Sequence, residues 1–175
     1  MLKGILNLPV VEDVFALRIV AYDYDNSGYY ENVAGSDAAK QIWAGAFGGV
    51  TSNMDDVGND EYTGGRISAL WQITENIDAS LTYITQDIEQ SGIPESFMAL
   101  GDTRRAPFQK LDGSSEALGL DLDVTNLKIN LDLGSIVVTS STSIAKSDTL
   151  QDRDVGLFFG PLLGVDDIPL FLTDS

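Results

Sequence analysis

Apolar and polar residues alternate along several stretches of this chain. The clearest stretch is residues 64–87, GGRISALWQITENIDASLTYITQD. Before the segment TEN, Ile67 and Trp71 belong to an alternating set of apolar residues, and after it Leu81 and Tyr83 belong to a second such set. Successive side chains of a β-strand point to opposite faces. The stretch therefore predicts two antiparallel strands joined by a tight turn, each with an apolar and a polar face.

The same period of two recurs along most of the chain. It predicts six strands, near residues 3–8, 14–25, 62–74, 77–89, 119–133 and 136–147. The connections between them alternate between short turns and long loops, the loops covering 26–61, 90–118 and 148–175. Loops of this length are uncommon inside a compact domain. The fold class predicted for residues 1–175 is therefore all-β, an antiparallel up-and-down meander of about six strands in one domain, with long loops on one rim.

One strand carries a change of phase. Leu118, Leu120, Leu122 and Val124 alternate out of step with the apolar residues that begin at Leu127. A one-residue shift turns every following side chain to the other face. We therefore expect a bulge or bend near residues 125–126 that keeps one apolar face continuous.

Two architectures explain such alternation. In a transmembrane β-barrel the apolar side chains face lipid, the polar ones face the lumen, and short turns alternate with long loops. In a soluble antiparallel sandwich the apolar face meets a second sheet. Loop asymmetry and the Trp and Tyr residues on the apolar faces favour the barrel. The side chains then expected to face the lumen are Arg18, Arg66, Lys128, Asn130 and Asp132.

Composition narrows the chemistry. The chain has 27 acidic and 10 basic residues, a formal net charge of −17, which would repel a nucleic-acid backbone. It has no cysteine and no histidine, so it lacks a thiolate nucleophile, the usual general base and the commonest transition-metal ligand. We expect neither an enzyme nor a nucleic-acid-binding protein.

Three segments resemble the barrel part of TonB-dependent outer-membrane receptors. They are LNLPVVEDVFALRIVAYDYDNSGYYENV, NDEYTGGRISALWQITENIDASLTYITQD and NLKINLDLGSIVVTSSTSIAKSD. The likeness rests on the order of an Asn-x-Pro strand end, an ALR strand, a GY…N loop start, a GGR strand opening and a TS.TS strand. It covers about residues 4–148.

The resemblance implies a nutrient receptor and transporter in the outer membrane of a Gram-negative bacterium. Its substrate would be a scarce nutrient such as a siderophore, a vitamin or an oligosaccharide. Its partners would be outer-membrane lipid, a plug domain and further barrel strands, with TonB reached only through an N-terminal part. The sequence shows no TonB box or plug domain, and six strands are far short of the about 22 of plugged transporters. We therefore expect a fragment of such a receptor.

A second function class stays open. A soluble or surface-displayed β-sandwich binding module, either carbohydrate-binding or adhesin-like and assisted by calcium, would also show alternating strands and acidic loops.

The long loops hold the candidate ligand contacts. Aromatic side chains there could form platforms for a ligand, or could pack the loops together. An Arg pair could bind a carboxylate or phosphate bidentately, or could compensate Asp102 and Asp112. These candidates are Trp43, Phe47, Phe97, Arg104 and Arg105.

The acidic run DDVGNDE is a candidate calcium site. Its oxygen ligands would be Asp55, Asp56, Asn59, Asp60 and Glu61. Calcium takes six to eight such oxygens, but this run lacks the spacing of an EF-hand. A solvated acidic loop is the alternative. No other cofactor is expected.

Overall fold

The computed structural model of the protein describes residues 1–105, 113, 116–154 and 171–174. Strands hold 66% of these described residues and helices 8%, which confirms the all-β prediction. Within the described ranges no helix is long and apolar enough to cross a bilayer. In chain order the strands are β1 (Leu2–Val11), β2 (Phe15–Asn26), β3 (Tyr30–Asn32), β4 (Met54–Val57), β5 (Asn59–Thr74), β6 (Ile77–Ser91), β7 (Arg104–Arg105), β8 (Ala117–Asp132), β9 (Val137–Asp154) and β10 (Phe171–Asp174).

The main sheet is an open antiparallel meander. Its strand order is β1-β2-β5-β6-β8-β9-β10, so β1 and β10 are its edge strands within the described residues. In the first pair, Leu2 lies opposite Asp23 and Leu8 opposite Leu17, and the register shifts between Pro9 and Val11. Pro9 has no amide hydrogen to donate, and an edge strand tolerates it because one side of the strand has no partner.

Short turns join the strands in pairs at one end of the meander. The amide of Val14 donates to the carbonyl of Val11 at 3.1 Å, with Asp13 at φ 57° between them. Glu75 and Asn76 form the turn between β5 and β6. The turn between β8 and β9 uses Gly134 at φ 82°, a value that a glycine adopts without strain.

The long connections contain structure that the hydrophobic pattern does not indicate. Residues 26–61 hold β3, a 3-10 helix at Ala34–Ser36, the helix α1 (Ala38–Ala46) and β4. The carboxylate of Asp37 accepts a hydrogen bond from the amide of Lys40 at 3.0 Å and so caps the start of α1. A small second sheet has the order β4-β3-β7, with β3 and β7 parallel.

The bulge expected near residues 125–126 is absent. β8 runs without a break from Ala117 to Asp132. Asp123 accepts a hydrogen bond from Tyr83, while Asn130 contacts Asp78, which is on the opposite face of β6. The odd-numbered residues of β8 therefore lie on one face along the whole strand, and the even-numbered residues lie on the other. As a result, Leu122 and Val124 lie on the face opposite to Leu127.

The chain divides into two compact units. Unit 1 comprises Met1–Tyr24, Tyr62–Asp87 and Leu120–Asp148. Unit 2 comprises Asp25–Glu61, Ile88–Gly119 and Thr149–Ser175. Unit 1 thus contains the short turns, and unit 2 contains the long connections.

Candidate functional site

Unit 1 presents an apolar face that the described residues of the unit do not cover. Its apolar residues are Leu17, Ile19, Ile67, Trp71, Leu81, Tyr83, Leu127 and Ile129, and Asp123, which accepts a hydrogen bond from Tyr83, lies on the same face. Ile67, Trp71 and Leu81 are each 50% exposed, although large apolar side chains usually lie inside a folded domain. Among the described residues of unit 1, the only buried hydrophobic side chain is Val20, which points to the other face. This sheet is therefore a single layer over that part of the chain.

The opposite, polar face of unit 1 carries hydrogen bonds from strand to strand. The Thr82 hydroxyl donates to Ser68 at 3.1 Å. The Asn130 amide donates to the Asp78 carboxylate at 2.7 Å, and Thr139 donates to the Asn130 carbonyl at 2.9 Å. The polar face thus joins β5 to β6, β6 to β8 and β8 to β9 through side chains as well as through the backbone.

A second set of polar contacts extends this face towards β9. The side-chain amide of Asn126 donates to the Ser143 hydroxyl at 2.8 Å and to the Ser141 hydroxyl at 3.0 Å. The residues involved are short and neutral, so they pair without the cost of burying a charge. The polar face therefore consists of hydrophilic side chains that are held in place by hydrogen bonds to one another.

The residues predicted to face a lumen lie on the polar face. Arg18 and Arg66 line one cavity there, and Lys128 lies between Asn126 and Asn130 on the same face of β8. Asp132 differs in its role, because its carboxylate accepts the amide of Gly134 at 2.7 Å and stabilises the turn between β8 and β9. Whether these side chains face a lumen stays a prediction.

Unit 2 contains the predicted ligand-contact residues. Arg104 donates through Nε to the Glu31 carboxylate at 3.0 Å, a partner that the sequence does not indicate. Phe47 is 57% exposed at the end of α1, whereas Phe97 is partly buried. The side chains of Trp43 and Arg105 lie outside the described part of the structure, as does Asp112.

The acidic run of unit 2 is divided between two strands. Asp55 and Asp56 lie on β4, and Asn59, Asp60 and Glu61 begin β5. Asp60 accepts a hydrogen bond from the side-chain amide of Gln90 at 2.7 Å. Over the residues that the structure describes, no three acidic side chains stand close enough to hold a metal ion. The calcium site stays a prediction.

Unit 2 buries an ion pair that the sequence analysis missed. Lys40 Nζ lies 2.7 Å from Asp154 Oδ2, with side chains 4% and 0% exposed. The amide of Asp154 donates to the buried Glu116 carboxylate at 2.8 Å. A buried charge requires a partner. The sequence gives one indication that Lys40 is important, because it is the only basic residue between positions 26 and 61. It does not identify the partner, which lies more than a hundred positions away.

Over the residues that the structure describes, the arrangement consists of sheet faces and a loop-rich unit. Its components are a bare apolar face, a hydrogen-bonded polar face with arginines, and a loop-rich unit fixed by a buried ion pair. No family model matches this sequence, and no curated protein or solved structure is similar enough to count as a match.

Proposed function

We propose that this chain is part of the barrel of a TonB-dependent outer-membrane receptor that takes up a scarce nutrient. The observation that carries the proposal is the half-exposed apolar face of unit 1. A single-layer sheet in water gains no free energy from such a face, whereas acyl chains would bury it at roughly 25 cal/mol per Å². Lipid is therefore the environment that this face suits best.

Strand length supports the same proposal. A membrane-spanning strand needs about 9–11 residues when it is tilted by about 45°. The strand segments of unit 1 lie within residues 62–87 and 120–148, where short turns separate them. Each segment is long enough to cross a bilayer.

The polar face supports a hydrated lumen. Its hydroxyl, amide and arginine side chains would be costly against lipid, where a charged residue at the midplane costs about 2–4 kcal/mol. Along the chain, short turns alternate with long connections that have their own secondary structure, as in outer-membrane barrels. On this proposal, further strands and a plug domain of the whole receptor complete the pore.

The sandwich alternative requires a second layer on the apolar face. The described residues of unit 1 supply none, and no observation favours a carbohydrate-binding or adhesin module. We therefore propose the membrane function alone.

The two tryptophans provide a direct test. The chain contains Trp43 in α1 and Trp71 on the apolar face. The W43F variant, which keeps only Trp71, is refolded into vesicles that contain phospholipid brominated on its acyl chains. We expect bromine to quench Trp71 strongly and aqueous acrylamide to quench it weakly.

The matched control is the W71F variant, which keeps only Trp43. Trp43 belongs to unit 2, which the proposal places outside the lipid, so we expect bromine to quench it less than it quenches Trp71. If acrylamide quenches Trp71 as readily with vesicles as without them, the membrane proposal is wrong.

A further inference from the structure

A cavity of about 250 Å³ opens on the polar face of unit 1. Three cations line it, Lys3 from β1, Arg18 from β2 and Arg66 from β5. Its apolar part comes from Ile5, Val20 and Ile84. None of the described residues that line the cavity is a carboxylate, in a chain whose net charge is −17.

The three cations have no ion-pair partner in the described part of the chain. The ion pairs there belong to Lys40, Arg104, Lys146 and Arg153. Two carboxylates of the polar face, Asp78 and Asp132, lie outside the cavity lining and accept hydrogen bonds from Asn130 and from the amide of Gly134. The cavity therefore holds a concentration of uncompensated positive charge, which attracts anions.

The shape of the cavity is fixed by close packing. Tyr22 lines it and lies across Gly64, where an added Cβ would come within 2.6 Å of the Tyr22 hydroxyl. Val20 is 8% exposed and belongs to the apolar wall of the cavity. Guanidinium groups on such a wall can bind a carboxylate or phosphate in a bidentate manner while the wall contacts an apolar body.

We propose that this cavity binds an amphiphilic anion, a solute with two or more carboxylate or phosphate groups on an apolar body. The role of this site in uptake rests on the proposed function, because in a transport barrel the site would select the class of nutrient that enters. Its chemistry depends only on Lys3, Arg18 and Arg66 around Ile5, Val20 and Ile84.

The test uses the full chain in detergent micelles and measures binding by calorimetry at fixed ionic strength. The probes are benzene-1,3,5-tricarboxylate, citrate, inorganic pyrophosphate and acetate. We expect the aromatic tricarboxylate to bind more tightly than citrate, because only the former can contact the apolar wall. Pyrophosphate distinguishes a phosphate from a carboxylate ligand, and acetate should show no measurable binding.

The variants are R18Q and R66Q, with K146Q as the control. Each arginine variant should weaken tricarboxylate binding about tenfold, as expected for losing one charge-assisted hydrogen bond. Lys146 is a surface cation paired with Asp148, so K146Q should bind like the unmodified chain. Equal effects of all three variants would show a general charge effect and overturn the site.

The membrane proposal and the anion site fail separately. If Trp71 is quenched from the lipid but no multivalent anion binds, the site is wrong and the membrane proposal stands. If the tricarboxylate binds with the expected arginine dependence but Trp71 stays in water, the site stands and the transport function is wrong.

Discussion

Single residues show where this fold tolerates no change. At Gly28 an added Cβ would overlap the backbone carbonyls of Asp56 and Val57, which cannot move as a flexible side chain can. At Gly45, in α1, nothing lies within 4 Å of the same added atom. Both glycines belong to unit 2, so they form a matched pair of opposite expected effect.

The substitution G28A should destabilise unit 2 by about 3 kcal/mol, because overpacking against backbone forces the chain apart. G45A should stabilise it by about 0.5–1 kcal/mol, since alanine is the better helix former. Urea unfolding in the W71F background measures both, because Trp43 then reports on unit 2 alone. A G28A variant as stable as the parent would contradict the packing at this position.

The buried ion pair provides a second test at this scale. D154N leaves the Lys40 cation without its carboxylate in a buried place and should cost about 3–5 kcal/mol. K146Q breaks an exposed pair, whose side chains are 74% and 66% exposed, and should cost less than about 1 kcal/mol. Lys146 belongs to unit 1 and Asp154 to unit 2. Urea unfolding followed by circular dichroism of the whole chain therefore compares the two variants, and equal losses would argue against burial of the pair.

At the scale of elements, alternation predicts the strands of the meander and their two faces. The period of two indicates where β5 and β6 lie because each has one face of apolar and one of polar side chains. It does not indicate α1, a short helix whose start depends on the Asp37 cap. It also suggests a bulge in β8 that the structure does not have, because Leu122 and Val124 lie on the polar face.

Contacts between distant parts of the sequence are the part that could not be predicted. The partner of Lys40 is Asp154 and the partner of Arg104 is Glu31. The cavity unites Lys3, Arg18 and Arg66, which come from three strands. Periodicity along one strand determines its faces, but register across strands decides which cations meet.

A pair of neighbouring positions tests the two faces of β6. Under the membrane proposal, L81R should lower the stability of the vesicle-inserted chain by about 2–4 kcal/mol, because a charge would face lipid. S80R turns the same charge to the polar face, beside a cavity of about 390 Å³, and should have little effect. Urea titration of vesicle-inserted protein measures the difference, and equal costs would refute the assignment of faces.

For the whole molecule, a high net charge opposes the exposed apolar face. The charge of −17 repels other copies in water, whereas the apolar face attracts them. The balance depends on ionic strength, because the Debye length falls from about 30 Å at 0.01 M to about 8 Å at 0.15 M. Added salt should therefore favour association.

We expect the chain to associate in plain buffer, increasingly so with salt, and to become monodisperse in detergent. Light scattering coupled to size exclusion measures this directly. A monomer that melts cooperatively in detergent-free buffer at 0.15 M salt would show that the apolar face needs no lipid.

The edge position of β1 has a consequence for how a larger sheet would form. Residues of an antiparallel edge strand direct their amides alternately to the neighbour and away from it. In β1, we expect the amides directed towards β2 to be protected from deuterium exchange and the remaining ones to exchange fast, because β1 is an edge strand within the described residues. If another strand joins the sheet at β1, the exchange rate of these outward-directed amides should fall, so their exchange would report when that strand pairs.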